Sequence, residues 1–336
     1  MRFPTRSIAG IAMVFAVVLA ACGGSDVEET TAAETDQDGS TTTVAEGETV
    51  DTMEDETDHD GSTSTVAEGE TVDTIEDGGP LTEDFDPADF DDTSATVDNP
   101  LFPLVPGAHH VYEGSANDGE ERIDRRVVFN VTDLVKTIGG VEAVVIQELD
   151  FDGGDLVEAE LAFFAQATDG TVWHLGQYPE EYDEGELVAT PAWITGVEDA
   201  LAGISMYADP QPGGVSYSQG WGPAVSWTDR AQIAGYEDET CVEAGCYENV
   251  LITEEFNTDE PDAWQLKFYA SGVGNVKVGW RGDGEIDQET LELVEERKLD
   301  ASEMEELRAE ALEIEARAYE QSPDVYGTTE PARPRE

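Results

Sequence analysis

The residues best equipped for chemistry are three cysteines, four histidines, and a few acidic and tryptophan clusters. Cys22 stands directly behind Leu19-Ala20-Ala21, at the end of an apolar run from Ile8 that follows a basic tip carrying Arg2 and Arg6. Positive tip, short apolar centre and small residues before a cut is the order of an export leader. A thiol at that point is placed for modification once the leader is removed. Cys241 and Cys246 form a separate pair across Val242-Glu243-Ala244-Gly245. In an oxidising compartment such a pair closes as a disulfide. Two thiols without nearby histidine make at most half a zinc site.

The remaining candidates are weaker. Asp150, Asp152 and Asp155 cluster at one turn and offer oxygen ligands to a loosely held calcium ion, against the plainer reading of a solvated hairpin. His109-His110 are neighbours, and in a strand neighbours point to opposite faces, which disfavours a shared metal. His174 beside Trp173 reads as a packed core residue. Trp193, Trp221 and Trp227 border a long loop and the glycines Gly220 and Gly222, so they are the candidates for an aromatic ligand platform, although large aromatics mostly build core. Gly203-Ile204-Ser205-Met206-Tyr207 lacks the second glycine of a nucleophile elbow. There is no phosphate loop or dinucleotide fingerprint, so no cofactor is expected. Carboxylate pairs for glycoside hydrolysis occur by abundance alone in so acidic a chain.

Composition narrows the partners. Asp and Glu number 77 against 16 Lys and Arg, and loss of Arg2 and Arg6 with the leader takes the net charge from −61 to −63. Such a surface repels nucleic acid and anionic lipid headgroups. It leaves cations, basic proteins and apolar ligands as possible partners, or simple solubility in a salty habitat. The chain is expected to act as a monomer.

The organisation that must position these residues falls into five parts. Residues 1–21 are the leader. Residues 22–98 contain no Lys or Arg and almost no large apolar residue, so they read as a disordered acidic tether. Within it Gly39–Thr52 recurs almost unchanged at Gly61–Thr74, a duplicated spacer of period 22. The aromatics Phe85 and Phe90 near its end offer a docking point. Residues 99–300 open on the proline-rich run Asn99–Gly107 and continue as β-branched segments separated by turn chemistry such as Asp152-Gly153-Gly154-Asp155 and Asp183-Glu184-Gly185. Trp193–Gly214 reads as a long loop. Residues 301–321 carry Met304, Leu307, Ala311, Ile314 and Ala318 at helical spacing, behind a capping box placed at Ser302 and Glu305, with Glu313 and Arg317 paired one turn apart. Residues 322–336 form a loose Pro-rich tail. Tight turns imply antiparallel pairing. The fold class expected is therefore all-β: a large curved antiparallel sheet or half-barrel, with one C-terminal helix on it.

Two resemblances sharpen this reading. Leu19-Ala20-Ala21-Cys22 resembles the lipobox of bacterial lipoproteins, which implies a diacylglyceryl group on the Cys22 sulfur, cleavage before it, and anchoring of the chain to the cell membrane on its extracytoplasmic face. An ordinary cleaved leader, or an uncleaved helix, are the alternatives; the apolar run is short for the ~20 residues a spanning helix needs. The runs Asn99–Gly107 with Val111-Tyr112-Glu113, Ala208-Asp209-Pro210, Tyr269–Gly274, Arg317-Ala318-Tyr319 and Ser322–Gly327 resemble uncharacterised secreted lipoproteins of actinobacteria. That resemblance implies a shared fold and no known activity. A looser architectural similarity to half-barrel lipoprotein carriers implies an acyl chain cradled under a helix. The expected function is a lipid-anchored binding or envelope-structural protein without catalysis, with an apolar-ligand carrier and a carboxylate hydrolase as alternatives.

Overall fold

The computed structural model describes residues 82–335 apart from Glu120 and Asp259. The leader, Cys22 and the duplicated repeat lie outside the described residues. Five long strands come first: β1 (Ala108–Asp118), β2 (Glu121–Ile138), β3 (Val141–Asp152), β4 (Asp155–Gln166) and β5 (Val172–Asp183). Five short ones follow: β6 (Glu186–Ala189), β7 (Trp193–Ile194), β8 (Leu201–Met206), β9 (Tyr217–Ser218) and β10 (Gly220–Trp221). The chain continues through β11 (Arg230–Val242), β12 (Gly245–Phe256), β13 (Trp264–Ala270), β14 (Gly274–Arg281) and β15 (Thr290–Lys298) to the helix α1 (Ala301–Gln321) and a last strand β16 (Arg333–Pro334).

The strands form one antiparallel sheet in the order β10-β8-β5-β4-β3-β2-β1-β15-β14-β13-β12-β11-β9. This is the β-dominated, single-helix architecture that the turn chemistry implies. The hairpin turns fall where glycines permit positive φ, as at Gly153 and Gly154 between β3 and β4. The segment Trp193–Gly214 departs from the expected loop: β8 within it pairs with β5 and buries Ala202 to Met206.

The sheet is open in its hydrogen-bond order, yet one continuous segment carries both ends. Gly220 and Trp221 pair with Ala202 and Leu201 of β8, while Tyr217 and Ser218 pair with Ala231 and Arg230 of β11. Only Gln219 separates the two pairings. The sheet thereby curls round an interior and is tied shut at Tyr217–Trp221. Glycine is required at this seam, because a Cβ at Gly203 would lie 2.0 Å from the Gly220 nitrogen and one at Gly220 would lie 2.3 Å from the Trp227 ring.

Two layers cover the outer face of β2–β5. The first is residues 82–98, which the sequence boundary at Asp98 assigns to the tether. They pack on the sheet instead: Phe85 and Phe90 sit 5.4 and 6.4 Å from the Trp173 ring, and the Ser94 hydroxyl donates to the Glu142 carbonyl at 2.7 Å. Beyond them Phe102 and Leu104 turn to the interior. The second is α1 with the tail behind it. Leu307, Ala311, Ile314 and Ala318 are buried, as their spacing predicts. The tail is not loose. Tyr326 is fully buried against Phe163 and Tyr178, and β16 pairs with β2. Beneath α1, Lys136 Nζ donates to the Glu315 carboxylate at 2.8 Å and to the Glu330 carbonyl at 2.7 Å, which fastens helix and tail to β2.

The helix cap lies two residues before the expected one. Asp300 is the N-cap, accepting from the Ser302 and Glu303 N–H groups, and the Glu303 carboxylate accepts from the Asp300 N–H at 2.7 Å. Strand pairing holds the chain to Lys298 and Leu299 donates to the Gly107 carbonyl, so the helix starts at the first capable residue after it. Asp300→Ala is expected to lower stability by about 1 kcal/mol, read as a lower urea midpoint, whereas Ser302→Ala is expected to leave it unchanged.

Candidate functional site

The interior of the curled sheet is lined by charge. Glu148 and Asp150 of β3 stand opposite Glu160 and Glu158 of β4 in register, and all four are at least 96 % buried. Strand periodicity puts residues two apart on one face, so these four carboxyls share the inner wall. Facing them across six strand positions is Lys267 of β13, whose charge acts on Glu160. Lys267 Nζ lies 2.7 Å from Glu255 Oε2 of β12, and Gln219 Nε2 at the seam donates to the other oxygen at 3.0 Å.

Arg125 of β2 organises the end of the interior near the β3–β4 turn. Its guanidinium lies 2.9 Å from Asp150, 2.9 Å from Asp152 and 2.7 Å from Glu289, with its side chain only 1 % exposed. Burial opposes its charge, but Glu289, Asp150 and Asp152 outweigh that and hold the guanidinium protonated. Glu289 Oε2 also accepts from Gln265 Nε2 at 3.0 Å, which links this network to β13.

Carboxyls outnumber cations here, and their protonation follows. Burial first, and Glu148 second, push Glu160 well above the ordinary carboxylate range, with Lys267 pulling the other way. Neither Glu160 oxygen has a hydrogen-bond partner among the described residues. Burial and the neighbouring Glu160 raise Glu158, and burial and Glu255 raise Asp229. Asp287 is pushed up to about 6 by burial and then by Glu285. The histidines shift in the opposite sense: burial lowers His174 to about 3, and burial with His109 lowers His110 to about 4.

Two small cavities open toward this interior from opposite ends of β13. One of about 50 Å³ has aromatic walls, Phe102, Tyr112, Phe129 and Tyr269, and reaches Glu148 and Lys267. The other, about 40 Å³, is lined by Asp229, Glu255, Gln265, Asp287 and Glu289, with Glu260, Glu285 and Trp280 toward its mouth. Lys267 and Glu255 stand between them, one lining each.

Several sequence candidates resolve differently from expectation. Asp150, Asp152 and Asp155 do not gather round a calcium ion: Arg125 already neutralises Asp150 and Asp152, and Asp155 points into solvent at the turn. The tryptophan platform is also corrected. Trp193 and Trp227 stack 4.9 Å apart, are 2 % and 1 % exposed, and pack edge-on to His174 behind the seam. They fill core, and Trp221 alone of the three is partly exposed, on β10. His109 Nδ1 donates to Asn130 Oδ1 at 2.7 Å while His110 is buried, so the pair divides between environments. Cys241 and Cys246 are bonded across the exposed tip of the β11–β12 hairpin, in register with Cα atoms 4.0 Å apart. No group of three or more His, Cys, Asp or Glu among the described residues is arranged for a metal ion. Sequence reasoning missed Arg125, Glu160 and Lys267. The signal was present in Val157-Glu158-Ala159-Glu160-Leu161, where acids alternate with small apolar residues inside a strand.

Comparison with known proteins adds little. No protein-family model and no curated protein matches the chain. Among solved structures, an exported protein with a YmcC-like fold from Bacteroides fragilis NCTC 9343 is 14 % identical with a TM-score of 0.35, over 59 % of this chain and 99 % of that one. A lipoprotein from Parabacteroides distasonis ATCC 8503 is 11 % identical with a TM-score of 0.32, over 59 % and 98 %.

Proposed function

We propose that this chain is a lipid-anchored extracytoplasmic binding protein without catalytic activity. The leader and Cys22 supply its place, and the acidic interior cavity supplies its site. The observation that carries the binding reading is Glu160: a fully buried carboxyl whose oxygens have no hydrogen-bond partner among the described residues, directly across from Glu148, which lines the cavity of about 50 Å³. Leaving a polar group so placed costs about 1–3 kcal/mol, a cost found at sites where a ligand or water completes the pairing. The resemblance of Asn99–Gly327 to secreted lipoproteins of actinobacteria agrees with the location.

The carrier alternative has less support. The space between sheet and helix is filled by Leu307, Ile314 and Tyr326, and cavities of about 40 and 50 Å³ hold a few waters or one small head group, not an acyl chain.

A diacylglyceryl group gives two acyl chains, which is the requirement for a stable anchor. Fractionation of cells producing Cys22→Ser tests the reading. The unsubstituted protein is expected in the membrane pellet, open to external protease and without residues 1–21, and the variant is expected to lack the lipid and keep residues 1–21. A Cys22→Ser chain that is trimmed and held in the membrane pellet as the unsubstituted protein is contradicts it.

A further inference from the structure

The cavity at the Asp229–Asp287 end has walls that specify a ligand chemistry. No Lys or Arg lines it. Of its six carboxyls, Glu255 is taken by Lys267 and Glu289 by Arg125. Asp229, Glu285 and Asp287 hold no cation among the described ion pairs and stand around one space, with Asp229 Oδ1 accepting from the Asn257 amide at 3.4 Å. The second observation is Gln265. It is 7 % exposed, it lines the cavity, and its Nε2 is committed to Glu289, yet its Oε1 accepts no hydrogen bond among the described residues. A buried acceptor in an acceptor-rich cavity calls for a group made of N–H donors.

Size and walls narrow the group further. About 40 Å³ equals roughly three water-sized spheres at ~10–15 Å³ each. That suits one planar head group. A metal ion needs several ligands converging at short range, and the described residues show no such set. Separated acceptors suit a fork of donors. Trp280 at the mouth, 36 % exposed, presents an aromatic surface of the kind on which a guanidinium stacks. A guanidinium is also weakly hydrated, so it loses less on entering than a compact ammonium does. The loop bearing the acids is held in place: Asn117 N–H donates to the Asp287 carbonyl at 2.7 Å, and Asp287 N–H to Glu285 Oε1 at 3.1 Å.

We propose that this cavity is a guanidinium-binding site, with Gln265, Asp229 and Asp287 as inner acceptors and Glu285 and Trp280 at the rim. The proposal rests on the binding reading above and would give that reading a ligand class. The guanidinium could belong to a free small solute or to an arginine side chain of a polypeptide, and both present the same donors.

Calorimetric titration of the acylated full-length protein in non-ionic detergent tests it, at fixed ionic strength set with KCl. One arm uses methylguanidinium chloride, the other a Gly-Arg-Gly peptide blocked at both ends. Saturable one-to-one binding of methylguanidinium is expected, unaffected by replacing part of the potassium in the buffer with sodium. A peptide that binds more tightly identifies the polypeptide source, and one that fails to bind identifies the free solute. Asp287→Asn is expected to weaken binding at least tenfold, and Gln265→Leu severalfold. Glu285→Gln keeps an oxygen for the Asp287 N–H while removing a rim charge, so it tests the site without disturbing the core; a severalfold loss is expected. Binding no stronger than that of potassium, or equal binding in all three variants, overturns the proposal. Neither result bears on the membrane location, which the Cys22→Ser fractionation tests separately.

Discussion

Arg125→Met is expected to destabilise the domain by about 3–5 kcal/mol. The guanidinium is the shared partner of Asp150, Asp152 and Glu289, and two of those carboxyls are at least 97 % buried. Removing the cation leaves them to share a low-dielectric space with Glu158 and Glu160. Breaking a buried pair from one side is costly for that reason, even where the intact pair adds little net stability. For a domain of this size the loss corresponds to a fall of roughly 10 °C in melting temperature. Arg125→Lys keeps the charge but not the three-way fork, so an intermediate loss is expected. Thermal and urea unfolding of the three proteins checks this. A change below about 1 kcal/mol for Arg125→Met would show that the network is dispensable.

Stability is expected to fall as pH rises above 6.5. Carboxyls whose folded pKa lies above the unfolded value bind protons more readily in the native state. Their contribution is complete below about pH 4 and is lost as pH rises through the folded pKa. Asp287, at about 6, loses its contribution between roughly pH 4 and 6. Glu158, Glu160 and Asp229, raised well above their ordinary values by burial, extend the loss to higher pH. The buried histidines oppose this only at lower pH. His110 and His174 have folded values near 4 and 3, so their contribution is complete above about 6.5 and shrinks as pH falls below it. Above 6.5 the histidines no longer add to the change, so its direction is set by the carboxyls. Urea midpoints at pH 6.5, 7.5 and 8.5 are expected to decline in order, and Glu160→Gln to flatten the decline. Stability that is constant or rising across this range would mean that the interior carboxyls are ionised and solvated.

Local chemistry was legible where it alone decides the structure. The turn at Gly153-Gly154 and the apolar stripe of α1 both follow from short-range pattern. The charged interior was not, for a physical reason. Alternation in a strand says which residues share a face, but not whether that face is later covered. Glu158 and Glu160 therefore read as solvated until the ends of the sheet meet at Tyr217–Trp221, and those pairings are two residues long on each side. The same limit explains Arg317. Its expected partner Glu313 lies one turn away, where a pair contributes about 0.3–0.5 kcal/mol. The structure gives it Glu180 instead, which is fully buried and accepts two bonds at 2.8 and 2.7 Å. A bidentate contact to a buried carboxylate outweighs a helix-surface pair. The tryptophans were misplaced because Gly220 and Gly222 let Trp193 and Trp227 sink behind the seam, an approach visible only once the strands are paired.

The location of the molecule depends on what becomes of Cys22, so the mass of the intact protein from its own membrane is the most direct test of the whole account. The account predicts a chain that starts at Cys22 with a diacylglyceryl group on its sulfur, and that is 2 Da lighter than its reduced form through the Cys241–Cys246 bond. A chain that still carries residues 1–21, or one that begins with an unmodified Cys22, would contradict it.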